Sequence, residues 1–502
     1  GRTKVLTFSA KEKTAAAALE KALTLNYLRK TYNCGVFMLN RTAPEAQGIP
    51  SAAIERFVDA MAQLDSPHSF MLLRHGNVVA EGWWKPYRPE APHLLFSLSK
   101  SFTSCAVGLA REEGLLGLDD PVAKFFPAEL TRSADPRCRE MTIRHLLTMA
   151  TGHDRCALEY MTSADDWAAA FFQSPLAYRP GERFVYNSGA TYMLSALLRR
   201  ITGRSLTAYL RPRLLEPLGF GERHWETCPK GIEVGGWGFY ATTEELARFA
   251  QLLLQGGNWR GRQLVPADYL KMATSFQIDN SMNDQPDWRV GYGFQFWRCR
   301  HNAFRGDGAF GQYALVMPEQ DAVLAITSGL RNMQQVLDLV WKHLLPAMSP
   351  APLPADPAAA GRLAERIARL TLPVLGTTGR ALPRQSYRLN ANEGGFTRLE
   401  FESGPDSCRL TLAGPNGPET ILAGFGHREE SVVKFDSQFP HSVAASAEFT
   451  DDRTLTILAS SYNTPYQIRL VCRFDGEHVA LEHRANLTFL VDQWPILTGC
   501  RA

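Results

Sequence analysis

The chain has 502 residues, 45% hydrophobic and 21% charged, the balance of an ordinary globular protein; disorder and collagen-like structure are excluded for the chain as a whole. At roughly 150 residues per domain, that length allows about two to four domains and a large buried core. Lys plus Arg number 54 against 51 Asp plus Glu, a net charge of +3 without blocks of like charge, so the basic footprint of a nucleic-acid binder is absent.

No apolar run is long enough for a membrane-spanning helix. The chain opens on Gly1-Arg2-Thr3-Lys4 without an apolar signal core behind it, so the expected location is cytoplasmic unless a leader has been removed. Nine cysteines are scattered without a Cys-x-x-Cys pair or a Cys/His cluster. No metal site is expected, and a reducing compartment is the simplest reading, with a bridge or two in an exported protein as the alternative.

In chain order, residues 1–42 read as an N-terminal extension with a good helix former from Ala10 to Lys30. Residues 43–348 alternate between strand and helix patterns. Ser69 to Ala80 predicts a hairpin turning at His75-Gly76-Asn77, and Phe102 to Glu113 a helix stopped by Gly114. Thr142 to Met149 and Glu244 to Leu254 read as further helices. Ala314 to Met317 and Ala322 to Ile326 read as buried strands around a Pro318-to-Asp321 turn, and Asn332 to Leu345 as a closing helix. Residues 349–361, rich in Pro and Ala, have the composition of a semi-rigid linker. Residues 362–502 read as an all-β module with strands at Phe396–Phe401, Arg409–Leu412, Ser431–Phe435, Val443–Phe449, Thr454–Ala459, Ile468–Phe474 and Val479–His483.

The chemically informative stretch is Phe96-Ser97-Leu98-Ser99-Lys100-Ser101-Phe102, which contains Ser-x-x-Lys at the start of a predicted helix. Residues three apart share a helix face, so the Lys100 amine can reach the Ser97 hydroxyl. A serine hydroxyl attacks well only when a base takes its proton, and a lysine serves when burial lowers its pKa. The helix N-terminus adds free backbone N–H groups for an oxyanion. Alone, Ser-x-x-Lys arises by accident about once in a chain of this length. Here a helix of small residues follows it (Thr103, Ser104, Cys105, Ala106, Gly108, Ala110), a composition suited to tight burial.

With the segments around Gly114 to Val122, Thr142 to Met149 ahead of Thr151-Gly152, Pro180 to Ser188, Gly291 to Trp297 and Gly306 to Gln312, the chain resembles the serine β-lactamase-related hydrolases. That group holds class C β-lactamases, D-alanyl-D-alanine carboxypeptidases and related esterases. The resemblance implies an α+β fold of the β-lactamase/transpeptidase type. An antiparallel sheet would be flanked by helices, with a mainly helical subdomain between Ser97 and Tyr186 and the β module appended. It implies Ser97 as nucleophile, Lys100 as base and Tyr186 as proton relay. Gly308, Ala309, Ser188, Asp307 and Gln312 are the expected oxyanion and substrate-binding residues, with the backbone N–H groups of Ser97 and Ala309 forming the oxyanion hole.

Two departures bear on substrate. Tyr186-Asn187-Ser188 puts a hydroxyl where the family's Tyr-x-Asn has an amide, and Gly306-Asp307-Gly308 replaces its Lys-Thr-Gly, removing the cation that faces a penicillin carboxylate. The pattern is similar to the nylon-oligomer hydrolase and carboxylesterase branch. The expected activity is hydrolysis of small esters or amides without metal or organic cofactor. A true β-lactamase or peptidase, and a catalytically silent scaffold, are the rival readings. His145 is expected to pack as a structural residue. Trp83, Trp84, Trp237, Trp288 and Trp297 are candidates for either core or pocket lining. Oligomeric state is left open.

Overall fold

The computed structural model describes residues 38–131, 135–434, 438–489 and 494–502. The helix expected at Ala10 to Lys30 lies outside them.

Helix α1 (Ser51–Met61) precedes the hairpin of β1 (Pro67–Arg74) and β2 (Asn77–Trp83). Helix α2 (Ser99–Glu112) follows, then α3 (Ser188–Thr202) and α4 (Thr243–Leu254), with several short helices between. Four strands complete the sheet: β3 (Trp297–Arg298), β4 (Phe304–Gly308), β5 (Gln312–Met317) and β6 (Ala322–Ser328). The spatial order is β2-β1-β6-β5-β4-β3, antiparallel throughout.

The sequence of β1, apolar on both faces, follows from its central place. Met71 and Leu73 enter the core on one side with Leu246, Phe249 and Leu253 of α4; Phe70 and Leu72 enter the core on the other with Ile54, Phe57 and Met61 of α1. β6 divides likewise, Val323 and Ala325 one way, Leu324 and Ile326 the other. Helix α4 starts where expected because Thr242 and Glu245 form a capping box.

Helix α2 is buried almost along its whole length. Its hydroxyls are therefore paired: Ser101 Oγ donates to Gln295 O at 3.0 Å, Ser104 Oγ to Phe294 O at 2.7 Å, and Thr103 Oγ1 to Gly235 O at 2.8 Å. A Cβ on Gly108 would stand 2.4 Å from the Tyr269 ring, which explains the small-residue run. The helical layer continues past Tyr186, since α3 begins two residues later. Asn332 to Leu345 is broken into an α turn (Gln334–Leu339), a π turn (Val340–Leu344) and a 3₁₀ turn (Leu345–Ala347).

Part of the stretch read as linker is ordered as helix. α5 (Pro357–Ala368) is capped by Asp356 and lies on α1, with Arg366 to Asp59 at 2.5 Å and Arg362 to Glu55 at 3.4 Å. The chain then runs beside the end of β2, where Lys85 N donates to Leu370 O and Leu372 N to Lys85 O.

Ten strands follow: β7 (Leu382–Leu389), β8 (Arg398–Ser403), β9 (Ser407–Gly414), β10 (Gly417–Gly424), β11 (Glu429–Val433), β12 (His441–Asp451), β13 (Thr454–Ser461), β14 (Gln467–Asp475), β15 (His478–Ala485) and β16 (Leu497–Arg501). They form an all-β closed barrel. Neighbours in sequence pair antiparallel except β10 and β11, β16 returns to β7, and a short parallel pairing of Ala423 with Ala445 joins β10 to β12. Its interior holds the alternate residues of each strand, such as Leu399 and Phe401, Leu455 and Ile457, Val479 and Leu481.

Barrel and sheet domain meet through the β13–β14 loop. Leu94 N donates to Asn463 O at 2.8 Å, Asn463 Nδ2 to Pro92 O at 2.9 Å, and Tyr87 Oη to Thr464 O at 2.9 Å.

Candidate active site

Ser97 lies in the 3₁₀ turn Phe96–Leu98 that leads into α2, and Lys100 in the first turn of that helix. The Lys100 side chain is 2% exposed. Its Nζ lies 2.9 Å from Ser97 Oγ, 3.0 Å from Ser188 Oγ and 2.7 Å from the Gly236 carbonyl oxygen. A carbonyl only accepts, so one N–H is committed to Gly236. With a second on Ser188, the lone pair of a neutral amine is left to face the Ser97 hydroxyl. Burial drives the Lys100 pKa down to about 7, against an opposing pull from Cys156 and Asp307.

Tyr186 stacks on Trp297 with ring centroids 5.5 Å apart, and Lys100 Nζ stands 4.9 Å from its ring centre. Burial and Asp307 raise the phenol above its ordinary range, while a hydrogen bond with Ser97 acts the other way. Asn187 is turned away from the site. Its Oδ1 accepts from Gly189 N and Ala157 N, capping α3 and presenting Ser188 to Lys100.

Strand β4 runs against the start of α2, and its glycines permit that contact. A Cβ on Gly308 would sit 2.0 Å from Leu95 O; one on Gly306 would sit 2.6 Å from Ser101 Oγ. Position 306 thus faces the helix, and a side chain there would have to displace Ser101 before reaching the pocket. Arg305 and Asp307 take the opposite face, as alternate residues of one strand do. The guanidinium is fully buried, 2.9 Å from the Asp307 carboxylate through Nε and stacked over Trp288 at 4.1 Å. Burial pushes the Asp307 carboxyl up, and Arg305 pulls it back.

Two aromatic residues beside the reacting groups hold left-handed backbone conformations that non-glycine residues rarely adopt, Phe96 at φ 47° and Phe310 at φ 68°. Each costs of order 1–3 kcal/mol. Their rings pack edge to face at 5.4 Å, and Tyr466 and Phe489 of the barrel complete the cluster. The strain places the backbones of Ser97 and Ala309 on one pocket and is held by packing from both domains.

That pocket measures about 800 Å³. Ser97, Tyr186, Ser188, Asp307 and Ala309 line it. Gln312 does not; its amide donates to Ala309 O and Ser328 O, bracing the turn behind Ala309. Trp237, Trp288 and Trp297 line the pocket as well, whereas Trp84 belongs to the core beneath the sheet and Trp83 packs at its edge. His145 is half-buried and caps its own helix, accepting from Thr142 N. Among the described lining residues the acidic groups are Glu226 and Asp307; burial pushes both carboxyls up, and Asp307 is paired with Arg305.

Sequence reasoning missed the Gly236 carbonyl, which carries no side-chain signal, and the barrel's His441, Thr464, Tyr466 and Phe489, which form one wall of the pocket. Among the described residues, no three His, Cys, Asp or Glu gather at metal-binding distance, and no helix is long and apolar enough to cross a membrane.

An antiparallel sheet between two helical layers, with Ser-x-x-Lys opening a buried helix, defines the β-lactamase and transpeptidase class of fold. The Beta-lactamase family model matches residues 40–339, and the chain belongs to that family. The 6-aminohexanoate-dimer hydrolase of Paenarthrobacter ureafaciens is 25% identical over 280 residues, 51% of this chain and 71% of its own length. Esterase EstB of Burkholderia gladioli is 29% identical over 182 residues, 33% of this chain and 46% of its own. A Bacillus anthracis structure provisionally assigned as a 6-aminohexanoate-dimer hydrolase superposes with a TM-score of 0.50 at 19% identity, over 63% of this chain and 89% of its own.

Proposed function

We propose that the protein is a serine hydrolase that cleaves neutral esters or amides through an acyl-enzyme on Ser97. The observation that carries this is the buried Lys100 amine 2.9 Å from Ser97 Oγ, with its pKa lowered to about 7. Neutral Lys100 takes the proton as Oγ attacks the substrate carbonyl. The N–H groups of Ser97 and Ala309 hold the resulting oxyanion. As the carbon–oxygen or carbon–nitrogen bond breaks, Tyr186 donates its proton to the leaving group and regains one from Lys100. Water then adds to the acyl-enzyme, loses a proton to the same pair, and releases the acid and Ser97. Hydrolase and esterase names among the relatives support the reaction class.

The lining favours neutral substrates over penicillins, because among its described residues there is no Lys or Arg for an entering carboxylate and Arg305 behind it is committed to Asp307. A carboxylate entering the pocket would lose its water without a cationic partner, and an unmade charge-assisted pair costs roughly 1.5–3 kcal/mol. The test is fluorophosphonate labelling with mass spectrometry, paired with p-nitrophenyl butyrate and nitrocefin turnover. The expected result is a single adduct on Ser97, loss of ester turnover in Ser97→Ala, and kcat/KM for nitrocefin below that for the ester. An adduct on Ser99 or Ser188, or no adduct and no turnover, overturns the proposal.

A further inference from the structure

Beyond the barrel-side wall of the active-site pocket lies a second cavity of about 450 Å³, set in the end of the barrel. The two cavities share four lining residues, His441, Thr464, Tyr466 and Phe489. Both volumes fall in the range of about 300–1,000 Å³ usual for small-molecule sites. The second is lined chiefly by apolar side chains, among them Ile421, Val433, Val443, Ile468, Leu487 and Trp494.

The space has a sequence cause. Along most of the barrel the inward positions carry Leu, Ile and Phe, which fill it. At this end the lining positions include Ala459, Ser461 and Ala485, too small to meet across it. Phe489 and Trp494 stand at the cavity 66% and 38% exposed. Large aromatic surface left open beside a lined cavity marks a place where an apolar ligand docks.

We infer that the barrel end is a subsite for the unbranched acyl chain of the substrate cleaved at Ser97, an inference that rests on the hydrolase reading above. The side of the pocket fixes which part of the substrate enters. Tyr466 and Phe489 pack on Phe96 and Phe310, the neighbours of the two backbone N–H groups assigned to the carbonyl oxygen. Tyr186, assigned to the leaving group, packs instead with Trp297. The acyl chain thus leads from the carbonyl past the Phe96–Phe489 cluster into the barrel, and the leaving group departs on the Tyr186 side.

The experiment is a chain-length series of p-nitrophenyl esters from acetate to dodecanoate on the full chain. The octanoate-to-acetate ratio of kcat/KM is expected to be about tenfold or more. Ala459→Phe, which fills the cavity, brings that ratio near one; Leu487→Ala, which enlarges it, moves the optimum to a longer chain. Melting curves verify that both variants fold. A binding readout without catalysis uses N-phenyl-1-naphthylamine fluorescence on Ser97→Ala. Probe binding that methyl decanoate displaces, and that the added Ala459→Phe abolishes, supports the subsite. A flat chain-length profile in the wild type, or equal probe binding with and without Ala459→Phe, overturns it. Retained acetate hydrolysis in Ser97→Ala would instead remove the hydrolase reading, and the two failures are read separately.

Discussion

In the proposed mechanism Lys100 works only without its proton, and burial is what favours its loss near neutrality. An exposed lysine at an ordinary pKa near 10.4 would be almost fully charged there, and its lone pair would be absent. With the pKa lowered to about 7, the neutral form grows as pH rises through that value. Ester kcat/KM is therefore expected to climb along a limb with its midpoint near 7. Lys100→Arg keeps the charge yet cannot be deprotonated, so it should lose about 10²–10⁴ in kcat/KM and show no such limb. Steady-state pH profiles of both proteins check this. Retention of activity within about tenfold in the arginine variant would leave Lys100 an electrostatic bystander. In that mechanism Ser188 and the Gly236 carbonyl act one step removed, by fixing which way the amine's lone pair points.

At the scale of elements, the contact of β4 with α2 decides what positions 306 and 308 can hold. A lysine at 306 would not restore a penicillin-facing cation, because its Cβ would start 2.6 Å from Ser101 Oγ on the helix side. Gly306→Lys is expected to lower the melting temperature and leave nitrocefin turnover no higher than wild type; a gain in turnover at wild-type stability would show that β4 tolerates the shift. Ser97, Lys100 and Tyr186 stood out in the sequence because the spacing of one helical turn and the order of short segments are local facts. The hairpin and the β5–β6 pair were legible for the same reason, as apolar runs bounded by turn residues. Three barrel strands were not. β7 holds Pro383, Arg384 and Arg388, β10 is framed by Gly417, Pro418 and Gly424, and β16 contains Gly499. Each violates strand composition and is held by its neighbours' ladders. The expected linker concealed α5 because Pro357 at the first turn of a helix reads, in isolation, like one more linker proline.

For the whole molecule, the pocket is a joint construction, and the boundary between its two makers lies later than the composition change at residue 349. Leu363 of α5, Leu370 and Leu372 all belong to the core on the α1 side of the sheet. Burying each contributes roughly 1.5–3 kcal/mol. A chain ending after residue 348 loses all three and uncovers α1; one ending after 375 keeps them. The longer truncation is expected to melt higher and to remain the more soluble. Both should lose the His441, Thr464, Tyr466 and Phe489 wall, while Ser97, Lys100, Tyr186 and Ala309 remain together on elements that precede the cut. Acetate ester hydrolysis should then persist in the 375 form with a lowered kcat and a raised KM, since the proton chemistry is kept while the Tyr466 and Phe489 packing that holds the Phe96 and Phe310 backbones is lost along with the wall. Differential scanning fluorimetry and steady-state kinetics on the two truncations decide the matter. Equal melting temperatures would return α5 to the role of a linker, and an unchanged KM would mean that the barrel stands beside the pocket without holding substrate.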